Sequence, residues 1–353
     1  MSYSLTLTTI ADEVHALLRE RALRPDFAPE QLVDAVLAYP EAGGKALRPA
    51  MLTWSCLALG GPRAAAIRAG SAVELYHTYT LVHDDIIDRD PVRRGRPSVH
   101  ALMEAMGRQH FRLDDEAAHY GLSMAILAGD CLQCWAVSLL ASLPDLGCDP
   151  ALALRLVHRL QHVVGPAIVE GEARDIQLPF LPIADIPREE ILHMMRTKTA
   201  ALFAYCGWAG GLLARGTEDA AVRALARFGE QAGIAFQLQD DVLGLIGEPT
   251  KLGKPVGSDL REGKRTLIVA IGWARADAGE RARLTTVLGQ QSATAEAIRD
   301  ATALLCRLGA VDEVQTMANA YLDQALDALA ILPDSPETTQ LRDLALSLVK
   351  REK

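Results

Sequence analysis

Aromatic residues are scarce, at 5% of a 353-residue chain. Alternating runs of Val, Ile and Thr are also rare, which leaves little from which to build strands. Six cysteines are too few for a disulfide scaffold and point to a reducing, cytoplasmic compartment. Cys131 and Cys134 form a lone C-x-x-C in an apolar helical context, with no second pair, so no metal or redox role is expected of them. Basic residues are outnumbered: 36 Lys and Arg against 45 Asp and Glu leave a net charge of −9. That balance argues against a general nucleic-acid binder. No long unbroken apolar run is present. The longest near-apolar stretch lies between Lys198 and Arg215 and is interrupted by Gly207, Gly210 and Gly211. It reads as a buried helix rather than a membrane span. Met1 to Ile10 carry neither a basic segment nor a continuous apolar one, so no signal peptide is expected.

Apolar surface, by contrast, is plentiful. Half the residues are hydrophobic and 23% are charged, with a mean hydropathy of +0.10, which excludes a disordered chain. Ala and Leu dominate, and both favour helix. Leu32, Val33, Val36 and Leu37 fall at helical intervals, as do Leu152, Leu156, Val157, Leu160 and Val164. Gly and Pro clusters punctuate the helices, no composition shift marks a boundary and no internal repeat is found. The expectation is an all-α fold: a single domain over 1–353, a bundle of roughly a dozen helices around one core.

Chemistry concentrates in three kinds of residue. In His83-Asp84-Asp85-Ile86-Ile87-Asp88, Asp84 and Asp88 stand four apart, so on a helix they share a face, with Asp85 beside them. Carboxylates packed this closely resist ionisation unless cations intervene, and Mg²⁺ readily shares carboxylates with substrate phosphates. A solvated acidic turn is the plainer alternative. Phe236-Gln237-Leu238-Gln239-Asp240-Asp241 repeats the pattern, with Gln237, Asp240 and Asp241 on one helix face between apolar neighbours. Cations adjoin both: Arg93-Arg94-Gly95 after the first, Gly253-Lys254-Pro255 and Gly263-Lys264-Arg265 after the second, with Lys198-Thr199 and Gly44-Lys45-Ala46-Leu47-Arg48-Pro49 elsewhere. They either pair with the acids or, jointly with metal ions, clamp a polyanion such as diphosphate.

This ordered set resembles the trans-isoprenyl diphosphate synthases, or polyprenyl synthetases, and is most like the short-chain geranylgeranyl diphosphate synthases. The matching pieces run from Gly44-Lys45-x-x-Arg48-Pro49 through His77, Asp84-Asp85-x-x-Asp88, Arg93-Arg94-Gly95, Ala128-Gly129-Asp130, Lys198-Thr199 and Phe236-Gln237-x-x-Asp240-Asp241. They end with Gly253-Lys254-Pro255-x-Gly257-Ser258-Asp259 and Lys264, and together cover roughly residues 40 to 270. The resemblance implies a Mg²⁺-dependent condensation of an allylic diphosphate with isopentenyl diphosphate, with three Mg²⁺ per active site and Mn²⁺ as a substitute ion. It assigns Asp84, Asp85 and Asp88 to two metal ions, and Asp240, with Asp241 in support, to a third. Arg93, Lys198, Lys254 and Lys264 would contact the allylic diphosphate. Lys45, Arg48, His77 and Arg94 would bind isopentenyl diphosphate, and Thr199 and Gln237 would lie beside the developing cation. A homodimer is implied too, with no nucleic-acid partner and no membrane span.

Two departures stand out. The family's second acidic motif commonly ends in a third aspartate, where this chain has Gly244, which puts the support of the third metal in doubt. The stretch Met103 to Tyr120 is longer than the usual spacing and is expected to be a solvated loop. The segment Gly247 to Lys264, rich in Gly and Pro, reads as a closing lid or as an ordinary connection, and the charged tail Lys350 to Lys353 as frayed.

Product length is expected to be set one helical turn below Asp84, at Thr80 and Tyr79. The Tyr79 ring would act as a floor, unless it is plain core. In the family, an aromatic five positions before the first aspartate, with two residues between Asp85 and Asp88, looks like the pattern of C20 synthases. Farnesyl diphosphate (C15) remains an alternative. A class I terpene cyclase needs no second diphosphate site, so Lys45, Arg48, His77 and Arg94 argue against it. Glu74-x-x-His77 and Glu190-x-x-His193 fit a di-iron pattern but leave the Arg and Lys clusters unexplained. A silent partner subunit would be expected to lose aspartates that this chain keeps.

Overall fold

The Ala- and Leu-rich stretches form helices that bury small side chains against one another. The computed structural model describes residues 2–247 and 257–349, so Lys254, residues 248–256 of the expected lid and the tail 350–353 lie outside the described residues. In the described residues the chain is all-α apart from one two-stranded ribbon. Contacts divide it into two compact units that alternate along the sequence: one made of 1–159, 208–222 and 333–340, the other of 160–207, 223–332 and 341–353. Composition gave no sign of this division.

The first unit contains α1 (Tyr3–Arg19), α2 (Glu30–Ala42), α3 (Leu47–Leu57), α4 (Arg63–Ile87), α5 (Val99–His110), α6 (Ala117–Ala141) and α7 (Pro150–Arg159). Helix α4 packs against α6 and α3, and α5 against α6. Its core holds Met51, Leu52, Leu75, Tyr76, Leu132 and Trp135, each 0% exposed. Burial on this scale contributes about 1.5–3 kcal/mol per large side chain. Ala117–Leu146 is long and apolar enough to cross a membrane by length and composition, yet its apolar window is 50% buried, as in a core helix.

The expectation of a loop over Met103 to Tyr120 is corrected. Met103 is fully buried within α5, and α6 begins at Ala117, so only Phe111 to Glu116 connects two helices. Met103 and Gly107, one turn apart, are both buried on α5. The polar residues around them masked that short apolar stripe.

The second unit contains α8 (Gly165–Gln177), which follows a π turn at Leu160–Val164, and α9 (Arg188–Met195), which leads through a second π turn, Arg196–Ala200, into α10 (Ala201–Arg215), whose residues from Trp208 on count with the first unit. Helix α11 spans Ala220–Ile246. After it come α12 (Ser258–Glu262), α13 (Leu267–Arg275), α14 (Ala278–Thr285), α15 (Ala295–Arg307), α16 (Ala310–Ala328) and α17 (Pro336–Val349), the last with Pro336–Gln340 counted in the first unit. Ile191, Ile234, Leu238, Leu267, Ile271, Leu305 and Val314 build its core. The stretch from Lys198 to Arg215 is helical, and Leu202, Phe203, Tyr205 and Leu212 in it are buried, as the sequence led one to expect.

Candidate active site

The first acidic cluster closes α4. Asp84 and Asp85 lie in its last turn and Asp88 caps it, donating its backbone N–H to the Asp84 carbonyl at 2.8 Å. A helix C-terminus carries partial negative charge, so carboxylates there call for a cation. Arg93 supplies one. Its Nε donates to both Asp85 oxygens at 2.7 and 2.8 Å. Its Nη2 lies 2.6 Å from Asp85 Oδ1 and 3.3 Å from Asp84 Oδ2. Burial works against the charge on Arg93, but Asp85 and Asp84 outweigh it and hold the guanidinium protonated. Asp85 is 1% exposed and also accepts a hydrogen bond from the Tyr39 hydroxyl. The Asp84 side chain keeps 23% of its surface open. One member of the pair is turned inward and the other outward.

Arg93 stands on the ribbon β1 (Val92–Arg93) and β2 (Arg96–Pro97), whose turn residues Arg94 and Gly95 have φ of 53° and 74°. Two successive positive φ values suit a tight hairpin and throw the Arg94 side chain clear of Arg93. Arg94 Nη1 donates to the Gly43 carbonyl at 2.6 Å. Glu74 sits among these cations: burial raises its carboxyl, while Arg48 and Arg94 pull it down. His77 is pushed well below the ordinary imidazole value by burial and by Arg48, Arg94 and Arg93. Arg48, His77 and Arg94, which the sequence pattern grouped, therefore do lie together, and Lys45 is exposed in the segment between α2 and α3. A cavity of about 440 Å³ opens here, lined by Tyr39, Glu74, Arg93, Arg94, Leu81 and Leu102 among others. One turn back along α4, the buried Tyr79 ring stacks edge-on against Tyr76 and His83 at 4.7 and 5.7 Å. Thr80 hydrogen-bonds the His77 carbonyl.

The second cluster is built from α8, the π turn before α10, and α11. π turns displace a side chain from the helical register and recur at functional sites. This one carries Lys198 and Thr199. Gly171 on α8 allows the approach, because a Cβ there would collide with the Lys198 backbone nitrogen. Lys198 Nζ lies 2.8 Å from Glu172 and 2.7 Å from Asp175. Thr199 donates to Gln237 Oε1 at 2.8 Å, and Gln237 Nε2 donates to Asp241 Oδ1 at 3.0 Å. Asp240 is exposed and Asp241 only 8% exposed. The inward and outward division thus recurs. The Asp241 carboxyl is pushed well above the usual carboxylate range by burial and by Asp259, Asp240 and Asp175, against the opposing Gln237 hydrogen bond.

Gly244, where a third aspartate was missed, lies against Asp259. A Cβ at Gly244 would stand 3.3 Å from Asp259 Oδ2, and Gly257 N–H donates to the Gly244 carbonyl at 3.0 Å. The Asp259 carboxylate thus lies within contact distance of the position where the third aspartate was expected. Lys264 lies 3.4 Å from Glu262. Sequence reasoning passed over Tyr39, Glu74 in this role, Glu172 and Asp175, and quoted Asp259 in a motif without giving it a role. Glu172 and Asp175, at i and i+3 on α8, carried a spacing that could have been read; the roles of Tyr39, Glu74 and Asp259 depend on contacts distant in sequence.

Among the described residues no three His, Cys, Asp or Glu side chains converge into a preformed metal cage. A hard divalent cation that shares its ligands with phosphates and water needs only one or two carboxylates. The donors here are hard oxygens, and buried Asp241 is surrounded by acids. Both observations suit such an ion. The softer or nitrogen-based alternatives fare worse. Cys134 is exposed on α6. Glu190 is taken by Arg174, and His193 hydrogen-bonds Glu170 at 2.9 Å.

Residues 29–305 match the polyprenyl synthetase family. The chain belongs to that family. This polyprenyl synthetase is a trans-prenyltransferase enzyme. It is 34% identical over 353 residues to the geranylgeranyl diphosphate synthase of Methanosarcina mazei, covering 99% of this chain and 100% of the relative. In structure it is similar to geranylgeranyl pyrophosphate synthetase from Pyrococcus horikoshii, with a TM-score of 0.85, 35% identity and 99% coverage of both chains. It is also similar to geranylgeranyl pyrophosphate synthase from Corynebacterium glutamicum in complex with isoprenyl diphosphate and magnesium, with a TM-score of 0.86, 29% identity and 100% coverage of both chains.

Proposed function

We propose that this polyprenyl synthetase condenses an allylic diphosphate with isopentenyl diphosphate, head-to-tail and all-trans, to give geranylgeranyl diphosphate (C20). One observation carries the reading: each of two aspartate pairs turns one acid inward and one outward, with Arg93 bound to the first pair and Lys198 bound to Asp175, whose charge is felt by Asp241 of the second. Similarity to synthases of that product supports the chain length, as does Tyr79 below Asp84.

Asp84, Asp88 and Asp240 would hold three Mg²⁺ ions, with Asp85 and Asp241 behind them. Magnesium, when bound, neutralises diphosphate and so makes it a good leaving group. Arg93, Lys198, Lys254 and Lys264 would take the phosphoryl oxygens of the allylic substrate. On substrate entry Arg93 and Lys198 share with it the charge they now give to Asp84, Asp85, Glu172 and Asp175. The C1–O bond breaks and its electron pair leaves with diphosphate. Thr199 and Gln237 turn oxygen dipoles toward the allylic cation. The double bond of isopentenyl diphosphate, held by Lys45, Arg48, neutral His77 and Arg94, then attacks C1, and the proton lost in forming the new double bond goes to the departing diphosphate. The apolar walls of the cavity exclude water that would quench the cation.

We read 1–353 as one functional domain and the enzyme as a cytoplasmic homodimer. Its six cysteines are free thiols, which suits a reducing compartment. The test is an extension assay on the purified chain with Mg²⁺, isopentenyl diphosphate and C5, C10 or C15 starters. A C20 product that disappears on chelation is expected. A C15 end product would make it a farnesyl diphosphate synthase, and turnover without isopentenyl diphosphate a cyclase.

A further inference from the structure

Asp85 has few free lone pairs. Both of its oxygens face Arg93, and Oδ2 also accepts from the Tyr39 hydroxyl, 46 residues earlier on α2. At 1% exposure water cannot substitute for a lost partner. A buried carboxylate stripped of one hydrogen bond loses both energy and orientation. Arg93 is planar and bound through Nε and Nη2, so its plane follows the carboxylate. Its Nη1 takes no part in these bonds, and Arg93 and Tyr39 line the same 440 Å³ cavity.

We propose that Tyr39 is a positioning residue for diphosphate binding: its hydroxyl locks Asp85, and the locked Asp85 aims the Arg93 guanidinium at the phosphoryl oxygens. Asp85 then serves as an anchor for Arg93, and metal ligation falls to Asp84 and Asp88. The proposal rests on the reading of Arg93 as a diphosphate contact. Burial and the Asp85 hydrogen bond both hold the Tyr39 hydroxyl protonated, as a donor must be.

Tyr39→Phe removes the hydroxyl and keeps the ring. Binding of inorganic pyrophosphate with Mg²⁺ is measured by calorimetry, alongside kcat and KM for farnesyl and isopentenyl diphosphates. Tyr39→Phe is expected to weaken pyrophosphate about tenfold and to raise KM for the allylic substrate by a similar factor. KM for isopentenyl diphosphate stays within about twofold of the wild type. In an Arg93→Lys background, which cannot form the bidentate clamp, the Tyr39→Phe effect shrinks below about twofold, as non-additivity between coupled groups requires. Wild-type pyrophosphate binding by Tyr39→Phe overturns the proposal. So does an equal loss in the Arg93→Lys background, or a rise in both KM values together, which would mark a general packing role. If the wild type shows no extension while Tyr39→Phe still weakens pyrophosphate, the reaction assignment fails and the positioning role stands.

Discussion

Two adjacent aspartates on a helix point about 100° apart, so they cannot share one role. Asp85 and Asp241 turn inward and are held by Tyr39 and Arg93 in one case and Gln237 in the other. Asp84 and Asp240 retain access to solvent. The difference comes from neighbours, since the residue type is the same. Gly244 makes the same point from the other side. An Asp259 oxygen stands 3.3 Å from where its Cβ would be, and the ionisation of nearby Asp241 is opposed by surrounding acids. Gly244→Asp, which restores the commoner family residue, is therefore expected to add repulsion. A melting temperature about 3 °C or more lower in chelator at pH 8, partly recovered with Mg²⁺, is the predicted outcome. An unchanged melting temperature would show that the site absorbs the extra carboxylate.

At the scale of elements, some helix starts are held by purely local contacts. Asp277 and Glu280 form the capping box that begins α14, and Thr294 caps α15. The π turn at Arg196–Ala200 has no such signature. It arises where α8 presses its Gly171 against the Lys198 backbone. Helix α4 carries both halves of a length argument: Asp84 at its end and Tyr79 buried a turn and a half earlier. Tyr79→Ala removes a ring that Tyr76 and His83 brace. Products longer than C20 are expected from the variant in the extension assay. An unchanged product distribution would leave Tyr79 a core residue only.

For the molecule as a whole, protonation offers a readout of the cationic cluster. His77 and His15 both have imidazoles held below the ordinary 6.5. Burial is the first cause in each, joined by Arg48, Arg94 and Arg93 for His77 and by Arg19 for His15. The unfolded chain therefore takes up protons first. The stability these groups confer is complete above pH 6.5 and is lost as pH falls through the folded values. Asp241 has the opposite sign: its carboxyl is raised from the ordinary 3.8, so the stability it confers is present at acid pH and lost as pH rises through the folded value. The prediction is a difference measurement, which cancels Asp241: between pH 7 and 5 the melting temperature of the wild type should fall more steeply than that of His77→Gln. Equal slopes would mean that His77 protonates freely in the fold.

Helical period, the two acid pairs and the order of the basic motifs were all legible along the chain, because each depends on residues within a turn or two of one another and the 3.6-residue repeat belongs to the backbone. The misread stretch from Met103 to Tyr120 fails for the same reason, since an apolar stripe of two buried positions is too short to show against polar neighbours. The two interleaved units, the Tyr39 hold on Asp85 and the Asp259 carboxylate beside Gly244 had to wait for the folded chain. Each is a contact between segments remote in sequence, and such contacts are selected by how whole helices pack against each other, which no local pattern encodes.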